Sequence, residues 1–209
     1  MTILVHLQEE LEPFSVTPLE FEQLMGVAYL SQLEFAASSL YDRIDRRCIK
    51  EDRKKWIDPR QKWLGSYYSQ EIRKAAHPDV TIRWISPALG YGVFANWAIP
   101  RHGYIGEYTG IVRKRHLFGR QKNLYCFDYT IGYGRPTPYV IDAEKYGNFS
   151  RFINHSDHPN VESASVLCDG IMHMIFYALT DIAQGSQLCC NYGAKYWEKR
   201  EKPVSVGEN

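Results

Sequence analysis

Three stretches of the chain hold residue types better suited to chemistry than to packing. Gly90-Tyr91-Gly92, ahead of Val93-Phe94-Ala95, supplies glycines that let a backbone approach a ligand closely. The third glycine and following helix of a dinucleotide fold are missing, which removes a phosphate-cradling reading. The run Arg151-Phe152-Ile153-Asn154-His155-Ser156-Asp157-His158-Pro159-Asn160 concentrates amide, imidazole and hydroxyl groups. It is either a turn whose polar groups satisfy one another or a binding loop. Gln187-Leu188-Cys189-Cys190-Asn191-Tyr192-Gly193 sets the phenol of Tyr192 between an amide and a glycine. Cys189-Cys190 and His155-x-x-His158 are the only compact pairs that suit a metal, and a closed zinc site needs four spaced ligands, so no metal is expected. Thiol catalysis by the same cysteines would need activation by burial or charge.

The order of these segments carries more than any one of them. G-x-G-V-F-A, then Tyr108-Thr109-Gly110, then R-F-I-N-H-S-x-x-P-N, then Asn191-Tyr192-Gly193 resembles the SET-domain protein lysine methyltransferases over about residues 80–200. Tyr125-Cys126-Phe127-Asp128 and Ile141-Asp142-Ala143 ahead of Gly147-Asn148 support the likeness. The resemblance implies a β-dominated SET fold of small sheets, with the R-F-I-N-H-S segment threaded as a pseudoknot, an exception to un-threaded topology. It implies S-adenosyl-L-methionine as cofactor, held around Gly90, Tyr91 and Gly92 and by Asn154 and His155, with Arg151 a further candidate. Tyr192 matches the catalytic tyrosine, and Tyr125 lines the lysine channel with Tyr108 and Cys190. The implied partner is a protein with an accessible lysine, a histone or a bacterial histone-like basic protein. Helical text before a short SET domain is similar to the small SET proteins of chlamydia-type bacteria, which implies an effector in the bacterial cytoplasm or secreted into a host cell and its nucleus.

Methyl transfer from a sulfonium to an amine is an in-line displacement with an activated donor, so the protein mainly aligns the reacting atoms. Lysine, with a pKa near 10.4, must first lose its proton, and a narrow aromatic channel beside a positive sulfonium disfavours the ammonium form. Tyr192, a poor base at neutral pH, would orient rather than attack. Aromatic faces such as that of Tyr125 suit methylated ammonium.

Departures from the family pattern matter too. Asp157 stands where many relatives have cysteine, and no C-x-C-x-C cluster follows Gly193, so the zinc-bound C-terminal module is expected to be missing. Closure of the channel then falls to Tyr196-Trp197 and the tail to Asn209, or to the N-terminal helices. Cys190 occupies the position of the family's Phe/Tyr product switch; its smaller side chain favours di- or trimethylation. Asn191 replaces the usual aspartate. A SET-shaped binding module without catalysis is the alternative, against which retained Asn154, His155 and Tyr192 speak.

The elements that must position these residues divide the chain near residue 80, into a helical region 1–79, a SET domain 80–193 and a tail 194–209. Thr17-Pro18-Leu19-Glu20 reads as a capping box with proline in the first turn. Leu33, Ala37, Leu40, Ile44 and Cys48 form a helical stripe ended by Asp58-Pro59, and a second helix is predicted over Gln61 to Ala76. No β-pattern shows before Val80. Afterwards VTIRWIS, YGVFANWAI, YIGEYTGIV, LYCFDYTI, YVIDA and MHMIFYAL read as strands. Gly132 to Pro138 reads as a loop, because two prolines cannot sit in a central ladder.

Composition excludes several classes. The 209 residues, 44% hydrophobic and 23% charged, suit an ordinary folded protein. Five cysteines without a C-x-x-C pair argue against a disulfide scaffold. A formal charge of +1 argues against a general phosphate-backbone binder. The start lacks a basic segment followed by an apolar one, and no run reaches the ~18 residues of a membrane span, so a soluble protein without membrane contact is expected. The neutral total hides a dipole. Residues 1–40 hold six Glu and no Lys or Arg, whereas 43–62 hold nine Lys and Arg against Asp45, Glu51, Asp52 and Asp58. That basic segment is either a solvated helix face or a local nucleic-acid or nucleosome contact.

Overall fold

The computed structural model describes residues 3–115, 123–133 and 135–197. The N-terminal region is mixed, correcting the helical reading of 1–79. It runs β1 (Ile3–His6), β2 (Phe14–Val16), α1 (Pro18–Met25), β3 (Ala28–Tyr29), β4 (Glu34–Phe35), α2 (Ser38–Arg53), α3 (Pro59–Tyr67) and α4 (Ser69–Arg73). The Thr17–Glu20 capping box forms as read: the Thr17 hydroxyl accepts from the Glu20 amide, and the Glu20 carboxylate accepts from the Thr17 amide. The helix ends at Gly26, in the left-handed region at φ 66°. Leu33 and Ala37 therefore fall outside any helix, and only Leu40, Ile44 and Cys48 of the stripe lie on α2. The predicted 61–76 helix is broken at Tyr68 into α3 and α4.

The remaining elements are β5 (Val80–Ser86), β6 (Gly90–Ala95), β7 (Tyr104–Glu107), β8 (Ile111–Lys114), β9 (Cys126–Thr130), β10 (Pro136–Asp142), β11 (Tyr146–Gly147), a 3-10 turn (Phe149–Phe152), β12 (Asn154–His155), β13 (Val161–Cys168), β14 (Ile171–Ala178), β15 (Gln187–Cys190) and α5 (Ala194–Trp197). The fold is β-dominated with mixed sheets. A nine-stranded sheet has the order β2-β1-β5-β6-β15-β13-β14-β7, with β12 pairing β15; β4-β8-β10-β9 form a second sheet and β11-β3 a third. The early strands show no pattern in the sequence because each is two to four residues long, and all but β2, which pairs with neighbouring β1, join a distant partner. β1 runs parallel to β5, β4 parallel to β8 and β3 parallel to β11. Strand β13, V-E-S-A-S-V-L-C, was also missed; it pairs with β14 along its whole length. The 132–138 loop is shorter than read. β10 begins at Pro136, and the ladder with β9 absorbs the prolines through a register shift between Pro136 and Val140; Gly134 lies outside the described residues.

One core cluster unites the two halves, since Val5, Phe21 and Ile44 are fully buried together with Ile82, Ile105, Ile141, Phe176 and Leu188. At about 25 cal/mol per Å² of apolar surface, such joint burial is what keeps the short N-terminal strands in place. On the far side of β13 and β14, Leu64 of α3, Tyr68 at the break and Ile72 of α4 pack on Val166, Ile175 and Tyr177. Helix α3 comes so near β13 that a Cβ on Gly65 would stand 1.9 Å from the Leu167 carbonyl oxygen. Among the described residues, no helix is long and apolar enough to cross a membrane.

Candidate active site

The polar run and the Tyr192 segment meet because β12 pairs in parallel with β15, Asn154 beside Cys189 and His155 beside Cys190. Asn160 reinforces that pairing. Its side-chain amide donates to Gln187 O at 2.8 Å, its Oδ1 accepts from the Cys189 amide at 2.9 Å, and its own amide donates to Cys189 O at 3.1 Å. The chain then turns so that the Tyr192 phenol donates to Ile153 O at 2.7 Å, while the Tyr192 amide donates to His155 Nδ1 at 3.1 Å. An accepting Nδ1 puts the proton of a neutral ring on Nε2, 3.5 Å from Asp157 Oδ1. Burial holds the Tyr192 hydroxyl pKa well above the ordinary phenol value, with Cys190, Tyr196 and Tyr108 adding to the rise.

The glycine segment adjoins this group. Asn154 Nδ2 donates to Tyr91 O at 3.0 Å. A Cβ on Gly92 would stand 2.6 Å from Ile85 Cδ1, 2.7 Å from Gln187 Nε2 and 3.1 Å from Asn154 Nδ2, so a side chain there would crowd the contact. Tyr91 packs edge-on against Trp84 and Phe152, at 5.2 and 6.1 Å between ring centroids. Gly90 opens β6, with no atom close to where its Cβ would be.

Arg151, Tyr125 and Tyr108 form a second group. The Arg151 guanidinium lies 3.8 Å from the Tyr125 ring centroid, and its Nε donates to Ala143 O at 2.8 Å. Burial lowers its pKa, an effect opposed by Tyr125 and Tyr108. Tyr108 is buried on Phe127 and Phe176, and desolvation raises its hydroxyl well above its usual value. Cys190 is buried, and its thiol is pushed up to about 12, chiefly by desolvation. A thiol held neutral in this way is unsuited to nucleophilic catalysis at neutral pH.

Trp197 and Tyr196 of α5 cover the site. The Trp197 ring lies 4.8 Å from His155 and stacks at 6.1 Å on Tyr192, and Tyr196 meets Tyr192 edge-on at 4.7 Å. The Trp197 indole nitrogen is buried with no hydrogen-bond partner among the described residues. A close glycine backbone, aromatic faces and an orphaned indole donor are features that a flat heteroaromatic ligand could engage. The rest of the tail, 198–209, lies outside the described residues.

Several contributors were not singled out in the sequence. Asn148 Nδ2 and Ser150 Oγ both donate to Glu107 O, at 2.9 and 3.1 Å, which anchors the turn leading into Asn154. Glu107 in turn holds His173 Nδ1 at 2.6 Å. Asn160 is a further contributor. Asn148 also caps the 3-10 turn by accepting from the Ser150 amide, a local signal, whereas the bonds that tie these residues into the site reach partners at least 27 residues away.

The chain is similar to known proteins over its second half. Residues 90–193 match the family model described as the SET domain. Histone-lysine N-methyltransferase SUV39H1 of Xenopus laevis is 30% identical over 132 residues, covering 58% of this chain and 31% of that protein. Histone-lysine N-methyltransferase, H3 lysine-4 specific, of Chaetomium globosum is 28% identical over 170 residues, covering 75% of this chain and 15% of its own length. The chain thus spans less than a third of these relatives. A solved structure of ctPRC2 in an autoinhibited conformation bound to S-adenosylmethionine is 28% identical, with a TM-score of 0.49, covering 58% of this chain and 16% of that one.

Proposed function

Residues 90–193 being a SET domain with histone-lysine methyltransferase homologues, we propose that the chain methylates protein lysine side chains, on a histone or histone-like basic protein. One observation carries the reading: Tyr192, two residues past the end of β15, has its phenol fixed on Ile153 O and its amide on His155 Nδ1, next to the parallel pairing of β12 with β15. The SET methyltransferase family uses S-adenosyl-L-methionine, which supplies an activated methyl group on a sulfonium when bound. The Gly90–Gly92 backbone, Asn154 and His155 would hold it, and the faces of Tyr196 and Trp197 would close over it.

This chain's residues then have separate tasks. Asn154 donates one amide proton to Tyr91 O, and its carbonyl oxygen would accept from an ammonium or amide group. Tyr192, neutral at working pH, orients the incoming amine through its hydroxyl oxygen and takes no proton itself. Tyr125, Tyr108 and Cys190 form the lysine channel, whose apolar walls favour the uncharged amine. The guanidinium against Tyr125 fixes that ring and places Arg151 behind the wall. The N-terminal helices and β1–β4 support the SET domain as a flanking region, and the pairing of β12 with β15 supports the threaded crossing expected of the fold.

The test is mass spectrometry of core histones and a bacterial DNA-compacting protein incubated with the chain and S-adenosylmethionine, wild type beside Tyr192→Phe. Lysine mass gains of 14 or multiples are expected for the wild type alone. Calorimetry with the cofactor runs in parallel: binding without transfer in both forms would favour a non-catalytic binding module instead.

A further inference from the structure

Helix α2 carries a charge pattern that methyl transfer does not use. Residues 43–62 hold nine cations, and the structure gives several of them occupations. Arg60 pairs with Glu162 and donates to the Tyr177 hydroxyl, Lys62 pairs with Asp52, and Lys54 lies over the Trp56 ring. Arg47 is half-buried. Arg43, Arg46, Lys50, Arg53 and Lys55 remain, Lys55 lying past the end of α2. The four on α2 are exposed, and none lies within ion-pairing distance of a described carboxylate; Arg46 Nε donates to Asp42 O at 3.0 Å.

Their spacing of three, four and three residues puts them within an arc of roughly 80°, at about 100° per residue, along about 15 Å of helix. Ser39 is the only other residue of α2 in that arc, so it contains no apolar side chain. The opposite face, Ile44 and Cys48, is packed in the core, which fixes the helix rigidly with its cations outward. Lys50 and Arg53 also suit the helix C-terminus, where cations offset the macrodipole. Arg43 and Arg46 lie too early in the helix for that explanation. Three of the neighbouring carboxylates are turned elsewhere: Asp45 lies at Gly170, Asp52 is held by Lys62, and Glu51 buries one oxygen. Asp42 is exposed at the edge of the arc without an ion pair to any of the four cations, so the face is basic by four charges against one.

We propose that this face of α2 binds the phosphate backbone of a nucleic-acid duplex. A row of cations with three guanidiniums suits phosphate oxygens, which they grip through paired N–H donors. An acidic protein surface would be expected to meet apolar or aromatic anchors, and a single strand would need stacking rings; the arc holds neither. The surface is local, which reconciles it with a formal charge of only +1. It stands independently of methyl transfer, since none of the four residues belongs to the candidate site.

The experiment is fluorescence anisotropy with labelled 20-base-pair DNA and RNA duplexes between 50 and 200 mM salt. Each neutralised phosphate contributes about −0.9 to the slope of log K against log salt, so four contacts predict a slope of about −3.6. The variant Arg43→Gln/Arg46→Gln/Lys50→Gln/Arg53→Gln should bind at least about tenfold more weakly at 50 mM salt, with a slope near zero. A control, Lys74→Gln/Arg101→Gln/Lys114→Gln/Lys145→Gln, removes the same charge elsewhere and should bind like wild type. Circular dichroism melting verifies that both variants fold. Binding of one duplex type only identifies the nucleic acid and still supports the proposal. No duplex binding at 50 mM salt, equal loss in the two variants, or equal competition by polyglutamate at matched charge would overturn it.

Discussion

At the level of single residues, the Tyr192 hydroxyl is the group on which the proposed chemistry turns. Its bond to Ile153 O contributes on the order of 1 kcal/mol to stability, so Tyr192→Phe should leave the fold intact. Methyl transfer should fall by about 100-fold or more, with cofactor affinity retained, as read by labelled-methyl incorporation and calorimetry. Because burial holds this phenol above its ordinary pKa, it stays neutral through mildly alkaline pH. The transfer rate should therefore climb from pH 7 to 9.5 as the substrate lysine deprotonates, with no falling limb from Tyr192. A decline over that range in folded protein would contradict this assignment. Cys190 makes a separate prediction. On the proposed function, Cys190→Tyr adds a phenol to the proposed channel wall and should shift the mass spectrum toward monomethyl-lysine relative to wild type.

Secondary elements bring the site together through contacts invisible to local patterns. Strand β15 is held to the polar run by Asn160 as well as by the β12 ladder. Asn160→Ala would leave the Cys189 amide and Gln187 carbonyl unpaired, costing about 2 kcal/mol. Denaturant titration should show that loss, and transfer should weaken through misplacement of Tyr192. Helix α3 offers a sharper test. Gly65→Ala must push α3 off β13, because the Leu167 carbonyl is backbone and cannot step aside. Overpacking of this kind should cost about 3 kcal/mol. Urea unfolding would measure it, and an unchanged midpoint would mean that α3 does not sit as described.

For the molecule as a whole, buried and half-buried thiols and phenols tie stability to alkaline pH. Desolvation pushes Cys48, Cys126 and Cys189 up to about 11, and Cys190 and Tyr68 up to about 12. Each has a folded pKa above its unfolded one, so its stabilisation is complete below the unfolded pKa and is lost as pH rises through the folded one. Urea midpoints should hold steady from pH 7 to 9 and then decline up to pH 12. A midpoint that rose above pH 9 would show that these groups are not buried as described.

The sequence alone singled out the candidate site segments and located most of the strands after Val80, because motif residues and β-branched runs are local properties. Strand β5 begins and ends where V-T-I-R-W-I-S does. Thr17 and Glu20 announced α1 for the same reason, since a capping box closes within four residues. Tertiary structure decided what depends on partners far along the chain. It assigned Ile3–His6 and Glu34–Phe35 to strands, cut the 33–48 stripe short, and began β10 at Pro136. It also brought Tyr192 to Ile153 and Asn160 to Gln187, and left four of the nine cations on one uncommitted face. Pairing across tens of residues, and the direction each side chain faces after it, follow from global packing, of which short windows carry no trace.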